Sequence, residues 1–473
     1  MSKTNEFDFR KGYWEKLEEA VGGKEGAELC EGMRELYGLW SSEMIDWFAG
    51  LYDPTVGGYY YSNCARDNSH IVYKGNVYPL MPDLESTAQA LRFISQSGLA
   101  GKPFSSSFAD ALPEWMKEKI RRYVKGSQHE NGFFYNPQWP TEYTDMKLSR
   151  RARDTGNSVS VLYALGSNPT YDTPTGEKGD YLDIDGNPVT RPHTNATSDG
   201  EKAMKTTEDG VAIPPHLENR ETLLHYLNCD LDIKTQAYPA GNTLTAQMRQ
   251  IIYRDEVLKR EGADYSLVDT LMDWLDENQN PENGLWHPVS NYYGVNGLMK
   301  ITGCYGKVGR LLPNADKAVR SALDAISTDE CAGAVTSIYN SWFAVERVKR
   351  HLRTYGGEEG NAIADKILAE LRANAKPWLI KTREKFEIFK KPYGSFSYTP
   401  KASSARSQGC PVAFDGIYEG DINATIIASS ELLFYIYSAL ELRDFAVPMF
   451  GEAHLARYRE LLTEAHLKAG GSL

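Results

Sequence analysis

The sequence predicts an all-α protein, an (α/α)6 toroid of six helical hairpins with a loop and β-hairpin insertion near residues 167–215, and three observations predict it. First, a tight turn around glycine followed by an aromatic recurs: LYDPTVGGYYY at 51–61, YVKGSQHENGFF at 123–134, WLDENQNPENGLW at 274–286 and KPYGSFSY at 391–398. An internal repeat of this kind points to stacked copies of one supersecondary unit. Second, charged segments alternate with segments rich in Ala, Ser, Gly and Thr, as expected where polar helices face water and small residues let inner helices approach closely. Third, no linker-like break in composition divides the 473 residues, so residues 1–473 read as one domain.

In chain order, residues 8–21 and 25–49 carry apolar positions at helical spacing, among them Leu17, Leu29, Met33, Leu36 and Trp47. The first aromatic turn ends this pair. A helix follows from Asp83, whose carboxylate suits the N-cap because it can accept from unpaired first-turn amides. Charged helices near 112–126, 217–228, 265–277, 313–327 and 361–388 then precede small-residue helices starting near Thr155, Ala240, Ser290, Ala332 and Gly420. Within the insertion, YLDIDGNPVTRPH reads as a β-hairpin with Asp185, Gly186 and Asn187 at its turn, and the whole stretch suits a lid over the barrel mouth. Asp183, Asp185 and Asn187 imitate the start of a calcium loop, but the closing Glu is missing, so no metal is expected.

Trp274, Leu275, Gln279, Gly284 and Trp286 together resemble the glutamine-tryptophan repeat of terpene cyclases and their relatives in the α/α-toroid superfamily. Tyr123, Val124, Gln128, Gly132 and Phe134 match it loosely, and the other two copies lack the Gln. Similar turns occur in the six-hairpin barrels of glycoside hydrolases, polysaccharide lyases and sugar epimerases, and in character the chain is closest to these carbohydrate-active barrels. The resemblance implies architecture over most of the chain and leaves the chemistry open. The Cys, Cys-His zinc set of lanthionine-cyclising toroids is not reproduced around Cys304 or Cys331. An aspartate-rich cyclase segment has only Asp230-Leu231-Asp232-Ile233 to represent it, one acid short.

Composition narrows the partners. With 52 Lys and Arg against 64 Asp and Glu, the formal charge is −12, which argues against nucleic acid or an anionic membrane surface. The first residues, MSKTNEFDFRKG, show no apolar signal segment, and the apolar run 426–440 is interrupted by Ser and by Glu431. A cytoplasmic protein is the expectation. Six scattered cysteines without a CxxC pair read as reduced thiols. The sequence holds 29 Tyr and 9 Trp, enough amphipathic rings to line a cleft and stack on sugars. No phosphate-binding loop, dinucleotide fingerprint, HExxH or GxSxG elbow is present, and no cofactor is expected.

In such a toroid the inner helices begin at one end, so their first residues should meet around one cavity. The candidate acid/base residues are Asp83, Glu85, Glu419 and Asp421, since paired carboxylates are what glycoside cleavage needs. Asp415 is a weaker candidate. The candidate substrate-binding residues are Tyr60, Tyr61, Asp154, Asn242, Trp286, Tyr293, Asn296, Tyr339 and Asn423, a set rich in amides and rings that suits a hydroxyl-rich ligand. The expectation is a carbohydrate-processing enzyme, foremost a glycoside hydrolase acting on an oligosaccharide. The alternative is a uronate lyase or epimerase on the same scaffold, with Tyr60, Tyr293, His287, Asn242, Arg66 and Arg153 as its candidate residues. From other classes, a terpene-cyclase-like enzyme and a non-catalytic glycan-binding toroid remain to be weighed.

Overall fold

The computed structural model describes residues 6–190, 204–207 and 210–472, and it is helix-rich. Helices α1 (Lys11–Val21), α2 (Gly23–Tyr37) and α3 (Glu43–Gly50) open the chain. The short α4 (Asn63–Asp67) precedes α5 (Leu84–Gln96), and α6 (Phe108–Ala111) and α7 (Glu114–Lys125) are followed by α8 (Thr141–Asp145) and α9 (Leu148–Ala164). Next come α10 (Arg220–His225), α11 (Ala237–Arg260), α12 (Leu267–Asn278), α13 (Tyr292–Val308), α14 (Ala315–Ser327) and α15 (Val335–Tyr355). The chain ends with α16 (Gly357–Ala373), α17 (Ala375–Glu387), α18 (Ile422–Ile427), α19 (Ser430–Ala439) and α20 (Glu452–Lys468). Strands are confined to two-stranded antiparallel pairs: β1 (Tyr52–Asp53) with β2 (Gly58–Tyr59), β3 (His70–Tyr73) with β4 (Asn76–Pro79), β5 (Lys205–Thr206) with β6 (Ala212–Ile213), and β7 (Arg406–Ser407) with β8 (Cys410–Pro411).

Neighbouring helices follow a cyclic order. Helix α5 packs on α9, α9 on α11, α11 on α13, α13 on α15 and α15 on α19, while α18 and α19 return to α5. Helices α7, α12 and α14 each lie against members of this series, and buried apolar side chains from Trp14 to Leu462 form one continuous cluster. Among the described residues, no helix is long and apolar enough to cross a membrane, and all six cysteines are free.

The aromatic turns carry the order of the fold. Gln128 Nε2 donates to the carbonyls of Gly132 (3.1 Å) and Tyr171 (2.9 Å), and Gln279 Nε2 repeats this on Gly284 (3.0 Å) and Pro313 (2.8 Å). Each glutamine therefore closes its own turn and ties it to the segment beyond. Gly284 has φ of +70°, and a Cβ there would strike the backbone of Ala318 on α14. In three turns the aromatic residue's N–H donates to a threonine hydroxyl on a following helix: Tyr59 to Thr87 (2.9 Å), Phe134 to Thr155 (3.3 Å) and Phe396 to Thr425 (3.0 Å).

Several expected helices differ in detail. Residues 25–49, 361–388 and 420–440 are each broken in two, the last at Ser429, whose φ and ψ of −138° and −104° leave the helical region. Helix α9 starts at Leu148 rather than Thr155, because Arg150 and Arg151 are buried on its first turns instead of facing water. In the insertion, a hairpin does form: Asp183 N–H donates to Asn187 (2.9 Å), and the Asp183 carboxylate accepts from the N–H groups of Asp185 (2.9 Å) and Asn187 (2.8 Å). The resemblance to a calcium loop is thus satisfied by backbone amides. Residues 191–203 and 208–209 of the insertion lie outside the described residues.

Candidate functional site

A cavity of about 740 Å³ opens at the N-terminal halves of the cyclic helices, within the range of about 300–1,000 Å³ usual for small-molecule sites. Helical spacing aims each contribution. Glu85, Gln89 and Arg92 run down one face of α5, Arg153 and Asn157 come from α9, and Tyr238, Pro239 and Asn242 come from α11. Lys300 comes from α13, Thr336, Tyr339, Asn340 and Phe343 from α15, and Asn423, Ile427, Glu431 and Tyr435 from α18 and α19.

The segment 398–409 roofs this space with Tyr398, Ser404, Arg406, Ser407, Gln408 and Gly409. A small apolar cluster that includes Tyr61, Ile71, Tyr78, Trp139, Cys410 and Val412 anchors the roof from outside. No described residue of 167–215 lines the cavity. The described part of the insertion instead ties to the end of α7 and to the side of α11, through Lys125 with Asp180 (2.9 Å) and Arg249 with Glu177 (3.2 Å). Among the described residues it is the 398–409 segment that covers the cavity; residues 191–203 and 208–209 of the expected lid lie outside the described residues.

The floor is aromatic. Phe343 and Tyr435 stack at 3.6 Å and 21°, and the Arg347 guanidinium lies 4.1 Å from the Phe343 ring centre. Above the floor, Glu431 accepts from Arg92 (2.5 Å) and from the Tyr339 hydroxyl (2.8 Å). Glu85 accepts from Arg153 (2.6 Å) and Ser407 (2.7 Å), with Arg150 at 3.5 Å. Burial alone would raise the Glu85 carboxyl, but the two guanidinium groups and the serine outweigh it and hold it below the usual range. Arg153 also donates to Asn242 (2.7 Å), whose amide donates to Gln408 (2.8 Å), so wall and roof share one network.

Behind Glu85 lies a closed charge cluster. Arg150, 0% exposed, pairs with Asp83 (2.7 Å) and Asp154 (2.9 Å) and rests 4.7 Å from the Trp139 ring centre. Burial lifts the Asp154 carboxyl to about 7 despite the Arg150 partner, and its Oδ1 has no hydrogen-bond partner among the described residues.

Of the sequence-predicted residues, Glu85, Asn242, Tyr339 and Asn423 line the cavity, with Asn157 and Asn340 beside them. The others do not. Asp83 caps α5 by accepting from Ser86 N–H (3.0 Å), and Asp421 caps α18 by accepting from Ala424 N–H (2.8 Å). Both carboxylates are at most 1% exposed, and burial lifts Asp421 to about 7. Their resemblance to a catalytic pair comes from the repeat: each follows an aromatic turn, and their N–H groups donate to Tyr59 (3.0 Å) and Phe396 (2.9 Å). Glu419 accepts from Cys64 N–H (3.0 Å) away from the lining. Asp415 is exposed and also outside it.

Tyr60 donates to Asp53 (3.0 Å), Tyr61 is buried in the cluster anchoring the roof, and Tyr293 donates to Gln236 (2.8 Å). Trp286 plugs an outer turn, its indole N–H on the Leu275 carbonyl (2.9 Å), and Asn296 is buried behind Asn340 (3.1 Å). Among the lyase candidates, Arg153 and Asn242 line the cavity, and His287 and Arg66 do not.

Sequence reasoning missed Gln89, Arg92, Tyr238, Lys300, Phe343, Glu431, Tyr435 and the roof. The helical period held a usable signal: continuing from Glu85 by four and seven residues gives Gln89 and Arg92, and from Asn423 by eight gives Glu431.

Comparison with known proteins finds no matching family model, no matching curated protein and no matching solved structure. The site must speak for itself. Four basic side chains, Arg92, Arg153, Lys300 and Arg406, face it with two carboxylates, Glu85 and Glu431. Amides and tyrosines fill the rest, an arrangement able to hold several hydroxyls and at least one anionic group. Among the described residues, no group of three or more His, Cys, Asp or Glu could hold a metal ion.

Proposed function

We propose that the chain is a carbohydrate-processing enzyme built as an (α/α)6 toroid, working in this cavity on an oligosaccharide that carries a carboxylate. The cyclic order of helix neighbours and the repeated glutamine turns support the toroid. One observation carries the substrate class: a protein of net charge −12 has a cavity in which cations outnumber carboxylates. Amides, hydroxyls and a stacked aromatic floor suit sugar rings, and this polar wall does not suit the dry cavity a terpene cyclase needs.

Chemistry beside a uronic carboxylate fits the charges best. Removing the proton next to that carboxylate builds negative charge on it, which nearby guanidinium groups stabilise. Arg92 spends Nη1 on Glu431 and leaves the rest of its fork toward the cavity, where 42% of its side chain is exposed. The reading is therefore a uronate lyase or epimerase. Hydrolysis is the second reading, and Glu431 is the observation that favours it: a carboxylate fixed by Tyr339 and Arg92 could stabilise positive charge at a sugar carbon. Against it, Glu85 is held ionised and is a poor proton donor.

The test is turnover of neutral and uronic oligosaccharides followed in the ultraviolet. Absorbance from an unsaturated product, or solvent deuterium entering the uronate ring, supports the first reading. New reducing ends without either would move the assignment to hydrolysis, and inertness toward every sugar would sink both.

A further inference from the structure

Lys300 stands apart from the arginines at the cavity; even Arg406, which holds no carboxylate, donates to the Tyr73 hydroxyl (3.5 Å). Arg92 and Arg153 each hold a carboxylate, whereas Lys300, on the middle of α13, has no ion-pair or hydrogen-bond partner for its amine among the described residues. An amine left unpaired beside a cavity is costly to keep charged, so its place asks for a role. The groups that face it explain its state. Arg153 on α9 and Arg347 on α15 repel its proton, and Glu431 and Glu85 attract it from α19 and α5. Burial is the largest influence, and with the two arginines it pushes the amine well below its ordinary value. Tyr238 of α11 lies on the near side, its ring centre 5.7 Å from Lys300 Nζ. The Tyr238 hydroxyl also has no hydrogen-bond partner among the described residues, and burial pushes it upward, so it keeps its proton. An amine whose surroundings favour its neutral form and a phenol whose burial favours its protonated form, in one cavity, are a base and an acid that their surroundings push apart.

We propose that Lys300 is the base of this site, taking the proton from the carbon beside a substrate carboxylate, and that the Tyr238 hydroxyl supplies the proton to the departing sugar oxygen. This rests on the reading of the cavity as a site for uronic sugars. The carbon–hydrogen bond next to the carboxylate breaks and its proton joins the lone pair of Lys300 Nζ. The released electron pair becomes the new carbon–carbon double bond, the neighbouring carbon–oxygen bond breaks, and that oxygen takes the phenolic proton. Exchange with solvent then restores amine and phenol. The tyrosines and histidine suggested by sequence for this task, Tyr60, Tyr293 and His287, lie outside the lining.

Two measurements on the full chain test it. The first is the pH profile of acetylation by acetic anhydride at Lys300, read by mass spectrometry beside exposed Lys24 and Lys74. The proposal expects Lys300 to label at neutral pH where the surface amines are still protonated, and to be protected by a uronic but not a neutral oligosaccharide. Labelling in step with the surface lysines, or none at any pH where the protein stays folded, overturns it. The second follows deuterium exchange and elimination in Lys300→Met and Lys300→Arg, with melting temperature measured alongside. Both variants should lose turnover by about 100-fold or more, because arginine keeps the charge but cannot act as a free base. Lys300→Arg should still bind the uronate. If the wild type and both variants turn over uronates alike, Lys300 is not the base. If the wild type neither exchanges nor eliminates any uronate, the reading beneath the proposal fails with it, whatever the labelling profile shows.

Discussion

Two clusters of arginine and carboxylate lie within a few helical turns of each other and do different work. In the Arg150 cluster, Asp83, Glu85 and Asp154 surround a guanidinium that no solvent reaches. At the cavity, Arg92 and Glu431 use the same groups with a free edge, and Lys300 nearby has no carboxylate of its own among the described residues. Residue type does not separate scaffold from site here. What separates them is whether the donors and acceptors are all spent on the protein or some are left for a ligand.

Breaking the closed cluster should have the largest effect. Arg150→Met leaves three acids around an empty position and should cost about 3–5 kcal/mol, measured by chemical denaturation. A cost below about 1 kcal/mol would show that the cluster is not the scaffold it is taken to be. Glu431→Gln is close to isosteric and should lower turnover of the uronic substrate by about 100-fold or more, with the melting temperature nearly unchanged. Loss of fold with loss of activity would place Glu431 with the scaffold instead.

Asp421→Ala should show the reverse pattern, a loss of about 1–2 kcal/mol from an emptied N-cap with turnover kept. If activity vanishes while stability holds, Asp421 returns to the list of acid/base residues.

The smallest effect is on pH dependence. Asp154 and Asp421 are raised by burial from an ordinary 3.8 to about 7, so each keeps its proton in the folded chain where the unfolded chain has released it. Their stabilising share is fully present below about pH 4, is lost as pH rises through about 7, and is constant above. Asp154→Asn should flatten that fall in a plot of melting temperature against pH, and an unchanged slope would show Asp154 ionised throughout.

Much of the helical order was legible because it rests on local rules. Charged helices met small-residue helices at nearly the expected places, and Gln128 and Gln279, picked out by spacing, make the same pair of hydrogen bonds. The candidate site was legible only at its rim. Glu85, Asn242, Tyr339, Asn340 and Asn423 sit near helix starts, whereas Arg92, Lys300 and Tyr435 lie further along helices whose periodicity reads as core, and Glu431 opens a helix that the sequence reads as the middle of one apolar run. Asp83 and Asp421 cap helices outside the cavity lining, and they stood out in the sequence for a physical reason, since the best N-cap is a carboxylate and so is a glycosidase acid.

The sequence by itself determined the helix-rich class, the alternation of helices and the repeated turn, because backbone propensity, capping and amphipathic period act within a few residues. Which carboxylates are buried and spent, which segment roofs the cavity and which amine is left unpaired were decided only by tertiary structure. Those properties depend on partners far apart in the chain, as with Arg92 and Glu431 or Glu85 and Ser407, and on the desolvation that their meeting imposes.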